Sequence, residues 1–234
     1  MGILSNDDSD STQDMVANFY FPTSKKALII FTRNPELGKC KTRLAETIGK
    51  HSALEIYKHL LQHTSNVTKE IPVDKFVFYS ESIHKNDIWD ANIFRKKLQQ
   101  GTDLGAKMAN AFLDLFQSGY EKVIIIGSDL LDLKPNHITT AIEALNTNEV
   151  VIGPAEDGGY YLLGLSKMHP FLFNNKSWSK PSLLKETLKD LKENNIVFTT
   201  LEILNDIDTY EDLMASKTFQ SHLELQQKIK RIND

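Results

Sequence analysis

A chain of 234 residues suffices for one large α/β domain and is too short for two of ordinary size. Its 41% hydrophobic and 25% charged side chains suit a globular core, which excludes a wholly disordered chain. A net charge of −4 offers no bulk attraction to nucleic acid or to an anionic membrane. The single cysteine, Cys40, cannot form an intramolecular disulfide, which fits a reducing compartment. No apolar run nears the ~20 residues that a membrane span requires, and the acidic N-terminal stretch is unlike a signal peptide. The expected location is therefore the cytoplasm, with no nucleic acid and no membrane span.

In chain order, Ser5 to Ser11 is polar and can bury almost nothing, so residues 1–25 are expected to form a flexible extension and 26–234 a single domain. Ala27-Leu28-Ile29-Ile30-Phe31 is a continuous apolar run of strand length, and Phe76–Tyr79, Val123–Ile126 and Val150–Ile152 repeat the pattern. Strands apolar at every residue are expected when helices cover both faces of a sheet. Tyr160–Leu165 and Ile196–Leu201 are two further strand candidates.

Between these runs the period lengthens. Leu44, Ile48, Leu54, Tyr57 and Leu61 predict one or two helices with a break at Gly49. Leu104, Met108, Phe112 and Leu115 form a helical stripe that Gly119 is placed to end. Further helices are expected over His137–Leu145 and Ser182–Leu191. A last pair would follow Asp208-Thr209-Tyr210-Glu211, which has the form of a capping box. Strands alternating with helices predict a three-layer α/β/α sandwich on a mostly parallel sheet.

Ligands of such sheets gather beyond the carboxyl ends of the strands. After the first run, Arg33 to Arg43 packs four cations before a helix begins, and Lys39, Lys41 and Arg43 at a helix start are unfavourable without an anion among them. A bound phosphate would supply it, beside Gly38; a solvated basic turn is the alternative. Cys40 stands where a P-loop would have Ser or Thr, so that label does not fit. After the third run, Asp129 of Gly127-Ser128-Asp129 ends a buried strand and must be paired, hydrated or bound to a cation. Mg²⁺ takes one or two protein carboxylates plus phosphate oxygens, so Asp129 can begin such a site; a turn cap is the alternative.

Glu156-Asp157-Gly158-Gly159 either admits a ligand to its backbone or forms a hairpin turn. Asp208 is a helix cap that can add a second metal-ligand role. Gly101, Thr102 and Asp103 open a helix where they either read a nucleobase edge or form a turn and an N-cap. The histidines show no metal-ligand spacing, and His51, His59 and His63 are expected at the surface. Trp178 is expected in the core, before the turn at Pro181.

These segments together resemble the rSAM/selenodomain-associated transferase family of the GT-A nucleotide-diphospho-sugar transferase superfamily. The matches are Pro35 to Leu44 (Pro-x-x-Gly-x-x-Lys-Thr-Arg-Leu), Gly101 to Gly105, Gly127 to Leu133 (Gly-Ser-Asp-x-x-Asp-Leu), Asp157 to Tyr161, Trp178 to Pro181 and Asp206 to Leu213, all in order. Leu130-Leu131 departs from the family's usual Cys-Pro, and Lys107 from its usual Arg. The resemblance implies a GT-A fold and an Mg²⁺ (or Mn²⁺)-dependent glycosyltransferase-like enzyme, with a nucleotide-sugar donor and a small-molecule acceptor. The implied metal ligands are Asp129 and Asp208. Gly38, Lys39, Lys41, Arg43, Gly101, Thr102 and Asp103 would meet the nucleotide, with Lys41 also catalytic and Asp157 facing the acceptor. The alternatives are a nucleotidyltransferase acting on a nucleoside triphosphate, similar to 2-phospho-lactate guanylyltransferase, and a non-catalytic nucleotide-binding protein.

Overall fold

The computed structural model describes residues 22–223 and 225–227. The strands are β1 (Lys26–Thr32), β2 (Asp74–Tyr79), β3 (Phe94–Leu98), β4 (Lys122–Ile126), β5 (Val150–Pro154), β6 (Tyr160–Leu165) and β7 (Phe198–Thr200). The helices are α1 (Thr42–Ile48), α2 (Lys50–Lys69), α3 (Leu104–Gln117), α4 (Pro135–Ala144), α5 (Leu183–Glu193), α6 (Tyr210–Ala215) and α7 (Lys217–Ser221). One seven-stranded sheet runs in the order β3-β2-β1-β4-β6-β5-β7. Every neighbouring pair is parallel except the two that β6 makes, with β4 and with β5.

The apolar strands sort their residues by alternation, as the two-residue period of a strand requires. Leu28, Ile30, Ile124 and Ile126 share one face with Leu44 of α1, Ile56 and Leu60 of α2, and Ile138 of α4. Ala27, Ile29, Val123 and Ile125 share the other with Met108, Phe112 and Leu115 of α3 and Leu191 of α5. This is the expected three-layer sandwich. Parallel β1, β2 and β4 bring their carboxyl ends to one edge, and the polar loops collect there.

Several elements differ from expectation in detail. β3 has no apolar run to announce it, since Phe94-Arg95-Lys96-Lys97-Leu98 is an edge strand with only Phe94 buried. Charge on an edge strand discourages pairing with other chains. α6 is capped one residue later than expected: Thr209 accepts from the Asp212 N–H, and Asp212 in turn accepts from the Thr209 N–H. The carboxylate of Asp208 takes no part in that cap. His59 and His63 are half-buried rather than at the surface, and His63 Nε2 donates to the Leu133 carbonyl at 2.9 Å. The expected extension lies mostly outside the described residues; at its end, Thr23 donates from its N–H to Asp74, 2.9 Å away. Among the described residues no helix is long and apolar enough to cross a membrane.

Candidate active site

The basic loop starts where β1 ends. The Tyr57 hydroxyl, buried and with its pKa raised by that burial, accepts from the Arg33 N–H at 2.9 Å and donates to the Arg33 carbonyl at 3.1 Å. Asn34 fastens the loop to the segment after β2: its Nδ2 donates to the Ser82 carbonyl at 2.8 Å, and its Oδ1 accepts from the Glu81 N–H at 3.1 Å. Lys41, the residue before α1, has φ 50° and ψ 47°. Left-handed backbone at a residue with a β-carbon persists only where the surroundings enforce it.

That backbone turns the Lys41 side chain inward, and only 5% of it is exposed. Its ammonium donates to Asp129 Oδ2 at 2.9 Å and to Asp208 Oδ1 at 3.2 Å. Burial alone would lower its pKa, but the two carboxylates outweigh burial and push it up to about 12. The other carboxylate oxygen of Asp208 accepts from Arg43 at 3.3 Å. Burial raises the Asp208 pKa, and Lys41 and Arg43 more than reverse that. Lys39 is exposed and paired with Glu36 at 2.6 Å, with Glu81 3.7 Å away. The anions that the basic loop demanded are thus supplied, in this structure, by the protein's own aspartates and glutamates.

Asp129 stands three residues past β4. Gly127 has no β-carbon, and one built there would come within 2.8 Å of Asp129 Oδ1, so glycine leaves room for the carboxylate. Leu130 and Leu131, the departure from the family pattern, are both buried in the core, and Asp132 accepts from the Thr218 N–H at the start of α7. The departure therefore anchors the loop by apolar burial. From the other side, the Ile207 N–H donates to the Asp129 carbonyl at 3.0 Å. Ile207 is fully buried, so alternation along this extended segment turns Asp206 and Asp208 toward the site.

Two adjoining cavities open at this edge. The larger, about 730 Å³, is lined by Lys39, Lys41, Arg43, Gln99, Lys107, Asp129 and Asp208, among others. The smaller, about 180 Å³, is lined by Asp157, Lys180, Asp206 and, again, Asp129. Asp129 thus stands on the boundary of a cation-rich space and a smaller acidic one. Gln99 donates both amide protons to backbone carbonyls, of Phe78 at 2.9 Å and Thr32 at 3.2 Å. These two bonds fix the Gln99 side chain at the wall of the larger cavity.

Asp206 was not singled out from the sequence, although its Asp-x-Asp spacing with Asp208 was the available signal. Burial, and then the charges of Asp129 and Asp157, push its pKa up to about 6.

The remaining expected site residues have other placements. Asp157 lines the smaller cavity, and its Oδ1 accepts from the Gly159 N–H at 2.8 Å, which shapes the turn between β5 and β6. Gly158 makes a close approach, to the backbone of Pro181: a β-carbon there would meet the Pro181 carbonyl oxygen at 2.3 Å. Asp103 caps α3 by accepting from the Ala106 N–H at 2.8 Å, which is the structural one of its two readings. Gly101, Thr102 and Gly38 do not line the larger cavity; Gly101 and Gly38 occupy turns with φ of 145° and 75°. Trp178 is half-buried and seals the start of α3, since a β-carbon on Gly105 would come within 2.4 Å of its indole nitrogen.

Among the described residues no group of three or more His, Cys, Asp or Glu side chains is placed to enclose a metal. Two carboxylates already converge on one cation, however. That donor set suits a hard divalent ion that completes its shell with phosphate oxygens and water.

A family model described as an uncharacterized protein conserved in bacteria (DUF2064) matches residues 63–180, which is half of the sequence. The chain belongs to the DUF2064 family. No curated protein matches it. Among solved structures, this DUF2064 chain is similar to a Desulfovibrio desulfuricans G20 protein provisionally assigned as a nucleotide-diphospho-sugar transferase. The two are 27% identical with a TM-score of 0.77, over 89% of this chain and 98% of that one. A CMP:2-keto-3-deoxy-manno-octonic acid synthetase complexed with CTP is 12% identical with a TM-score of 0.54, over 88% and 100% of the two chains. The 4-diphosphocytidyl-2C-methyl-D-erythritol synthase of Anaerococcus prevotii DSM 20548 is 12% identical with a TM-score of 0.53, over 86% and 96%. The last two share the fold alone. That fold is the GT-A-like architecture of nucleotide-diphospho-sugar transferases and nucleotidyltransferases.

Proposed function

We propose that the protein is a nucleotide-using transferase that moves a glycosyl group from a nucleotide-diphospho-sugar to a small acceptor. The observation that carries this reading is the convergence of Asp129 and Asp208 on one cation position at the wall of a cation-lined cavity of about 730 Å³. A cavity of that size suits a nucleotide. The likeness to the Desulfovibrio protein supports a nucleotide-diphospho-sugar as donor. The resemblance to rSAM/selenodomain-associated transferases is part of the same reading.

In it, Asp129 and Asp208 would hold Mg²⁺ or Mn²⁺, and the ion, when bound, would neutralise charge on the diphosphate. Lys41, Arg43 and Lys39 line the cavity on the side where the phosphates would lie and offer donors to the oxygens that gain charge as the glycosidic bond breaks. The acceptor would enter the smaller cavity, where Asp157 and Asp206 are the candidates to take its proton. Gly101 to Asp103 contribute by setting the start of α3, from which Leu104 and Lys107 reach the larger cavity.

Calorimetry with a panel of nucleotides and nucleotide-sugars, with and without Mg²⁺, tests the reading. Metal should strengthen nucleotide binding to the wild type and not to Asp129→Ala; equal binding by both proteins would sink the metal assignment. The cation lining also suits a triphosphate, which keeps nucleotidyl transfer as a second reading. Release of pyrophosphate rather than nucleoside diphosphate during turnover would select it.

A further inference from the structure

Three observations converge on Lys41. Its side chain is almost completely buried, its backbone is left-handed, and its ammonium bridges the two aspartates that the proposed function assigns to a metal. An ammonium with oxygens at 2.9 and 3.2 Å occupies the seat that a divalent ion held by the same carboxylates would need. Both cations cannot sit there together. Asp129 and Asp208 also have unlike alternatives: Asp208 keeps Arg43 at 3.3 Å, whereas Lys41 is the cation that Asp129 pairs with.

We propose that Lys41 is a resident counter-cation of the metal seat, displaced when a nucleotide polyphosphate and a divalent ion arrive together. This inference rests on the reading of Asp129 and Asp208 as metal ligands. Without nucleotide, the ammonium neutralises the aspartates and the ion must compete with it. With nucleotide, the polyphosphate offers Lys41 a second set of oxygens in the same cavity, and the aspartates are released to the ion. Metal affinity thus becomes conditional on the polyphosphate, which restricts ion binding to the loaded protein. The apparent affinity for the ion alone is lowered by the fraction of molecules in which Lys41 holds the seat. Lys41 is on this account a positioning residue for the metal as well as a hydrogen-bond donor to the phosphate oxygens.

The test is Mn²⁺ binding, read by electron paramagnetic resonance of free Mn²⁺, for the wild type, Lys41→Met and Lys41→Gln, each with and without a nucleoside diphosphate. Lys41→Gln keeps hydrogen-bond donors should the methionine variant fail to fold, and Lys25→Met, which removes an exposed lysine paired with Glu121, controls for net charge. Without nucleotide, both Lys41 variants should bind Mn²⁺ about tenfold more tightly than the wild type or better, and Lys25→Met should match the wild type. In the wild type itself, the ζ-ammonium signal of ¹⁵N-labelled Lys41 should be protected in the free protein and change only when nucleotide and Mg²⁺ are both present.

Mn²⁺ binding to the wild type that is unaffected by either substitution would overturn the inference and leave the metal site standing. An ammonium signal that changes with Mg²⁺ alone would do the same. Absence of Mn²⁺ binding in every protein, with and without nucleotide, would overturn both.

Discussion

An aspartate stands at each end of the sheet, one buried and one a third exposed, and the two are satisfied in different ways. At the amino end of β2, Asp74 is buried and accepts from the Thr23 N–H at 2.9 Å, the Ser24 N–H at 3.3 Å and the Tyr120 hydroxyl at 2.7 Å, as well as from the Thr23 hydroxyl. At the carboxyl end of β4, Asp129 is held by the tip of one long side chain, Lys41. Backbone N–H groups and a packed tyrosine cannot withdraw without unfolding something, whereas an ammonium on four methylenes can. A carboxylate saturated by fixed donors is a structural joint. A carboxylate neutralised by one movable cation can exchange that cation, which is what a metal and phosphate site requires.

Substitution at the two aspartates should therefore separate function from stability. Asp129→Ala is expected to lower metal-dependent turnover by at least about a hundredfold, while the urea midpoint changes little, because the side chain is a third exposed. Steady-state kinetics and equilibrium unfolding on the same preparation check both halves. Asp74→Asn should do the reverse, destabilising by about 3 kcal/mol with nucleotide affinity unchanged.

The Asp74 effect also has a pH signature. Burial raises the Asp74 pKa, but hydrogen bonds from Thr23 and Tyr120 and the nearby Arg95 charge more than reverse that, so its folded value lies below the ordinary one. Its contribution is therefore fully present above the unfolded value and is lost as pH falls through the folded one. The gap in stability between wild type and Asp74→Asn should stay constant near neutrality and close below about pH 4. A gap that persists undiminished well below that pH would show that Asp74 acts through packing alone.

A smaller loss is expected at the junction between the β5–β6 turn and the Pro181 segment. Gly158→Ala combines a φ of 87° with a 2.3 Å clash against the Pro181 carbonyl, and no flexible side chain is there to give way. About 1–3 kcal/mol should be lost, read as a lower unfolding midpoint. Acceptor-dependent steps should suffer more than nucleotide binding, because Asp157 and Lys180 line the smaller cavity beside this junction.

Much of this was legible in the sequence because it depends on local pattern. Doubly apolar strands announced a covered parallel sheet, and Gly49 and Gly119 marked helix ends correctly. Asp129, Lys41 and Asp208 could be picked individually from their places after apolar strands. The resemblance implies that Asp129 and Asp208 meet, but the bridge that Lys41 makes between them is not legible, because it depends on the left-handed backbone at Lys41 and on a hydrogen bond from Ile207 to Asp129 between segments distant in the chain. β3 was hidden because Phe94 is its one buried side chain, followed by three partly exposed cations at a sheet edge, so it has neither an apolar run nor an apolar alternation. The capping register of α6 turned on whether Asp208 or Thr209 faces the helix, a choice that Ile207 settles by packing into the core. Asp206 was hidden for a related reason: its neighbours Asp129 and Asp157 are distant in sequence.

The smallest effect should come from Lys39, two residues from Lys41 and in the same loop. Its side chain is 60% exposed, and its partners Glu36 and Glu81 are also open to water. Exposed pairs of this kind contribute little to folding, so Lys39→Met should leave the unfolding midpoint unchanged. Because Lys39 still lines the larger cavity, nucleotide affinity should fall about two- to threefold at low ionic strength, a difference that salt should erase. Lys41→Met should instead keep its effects at high salt, since water and ions reach its ammonium poorly. Equal salt sensitivity of the two variants would mean that burial does not distinguish these lysines, and the contrast between a movable buried cation and a solvated one would fail.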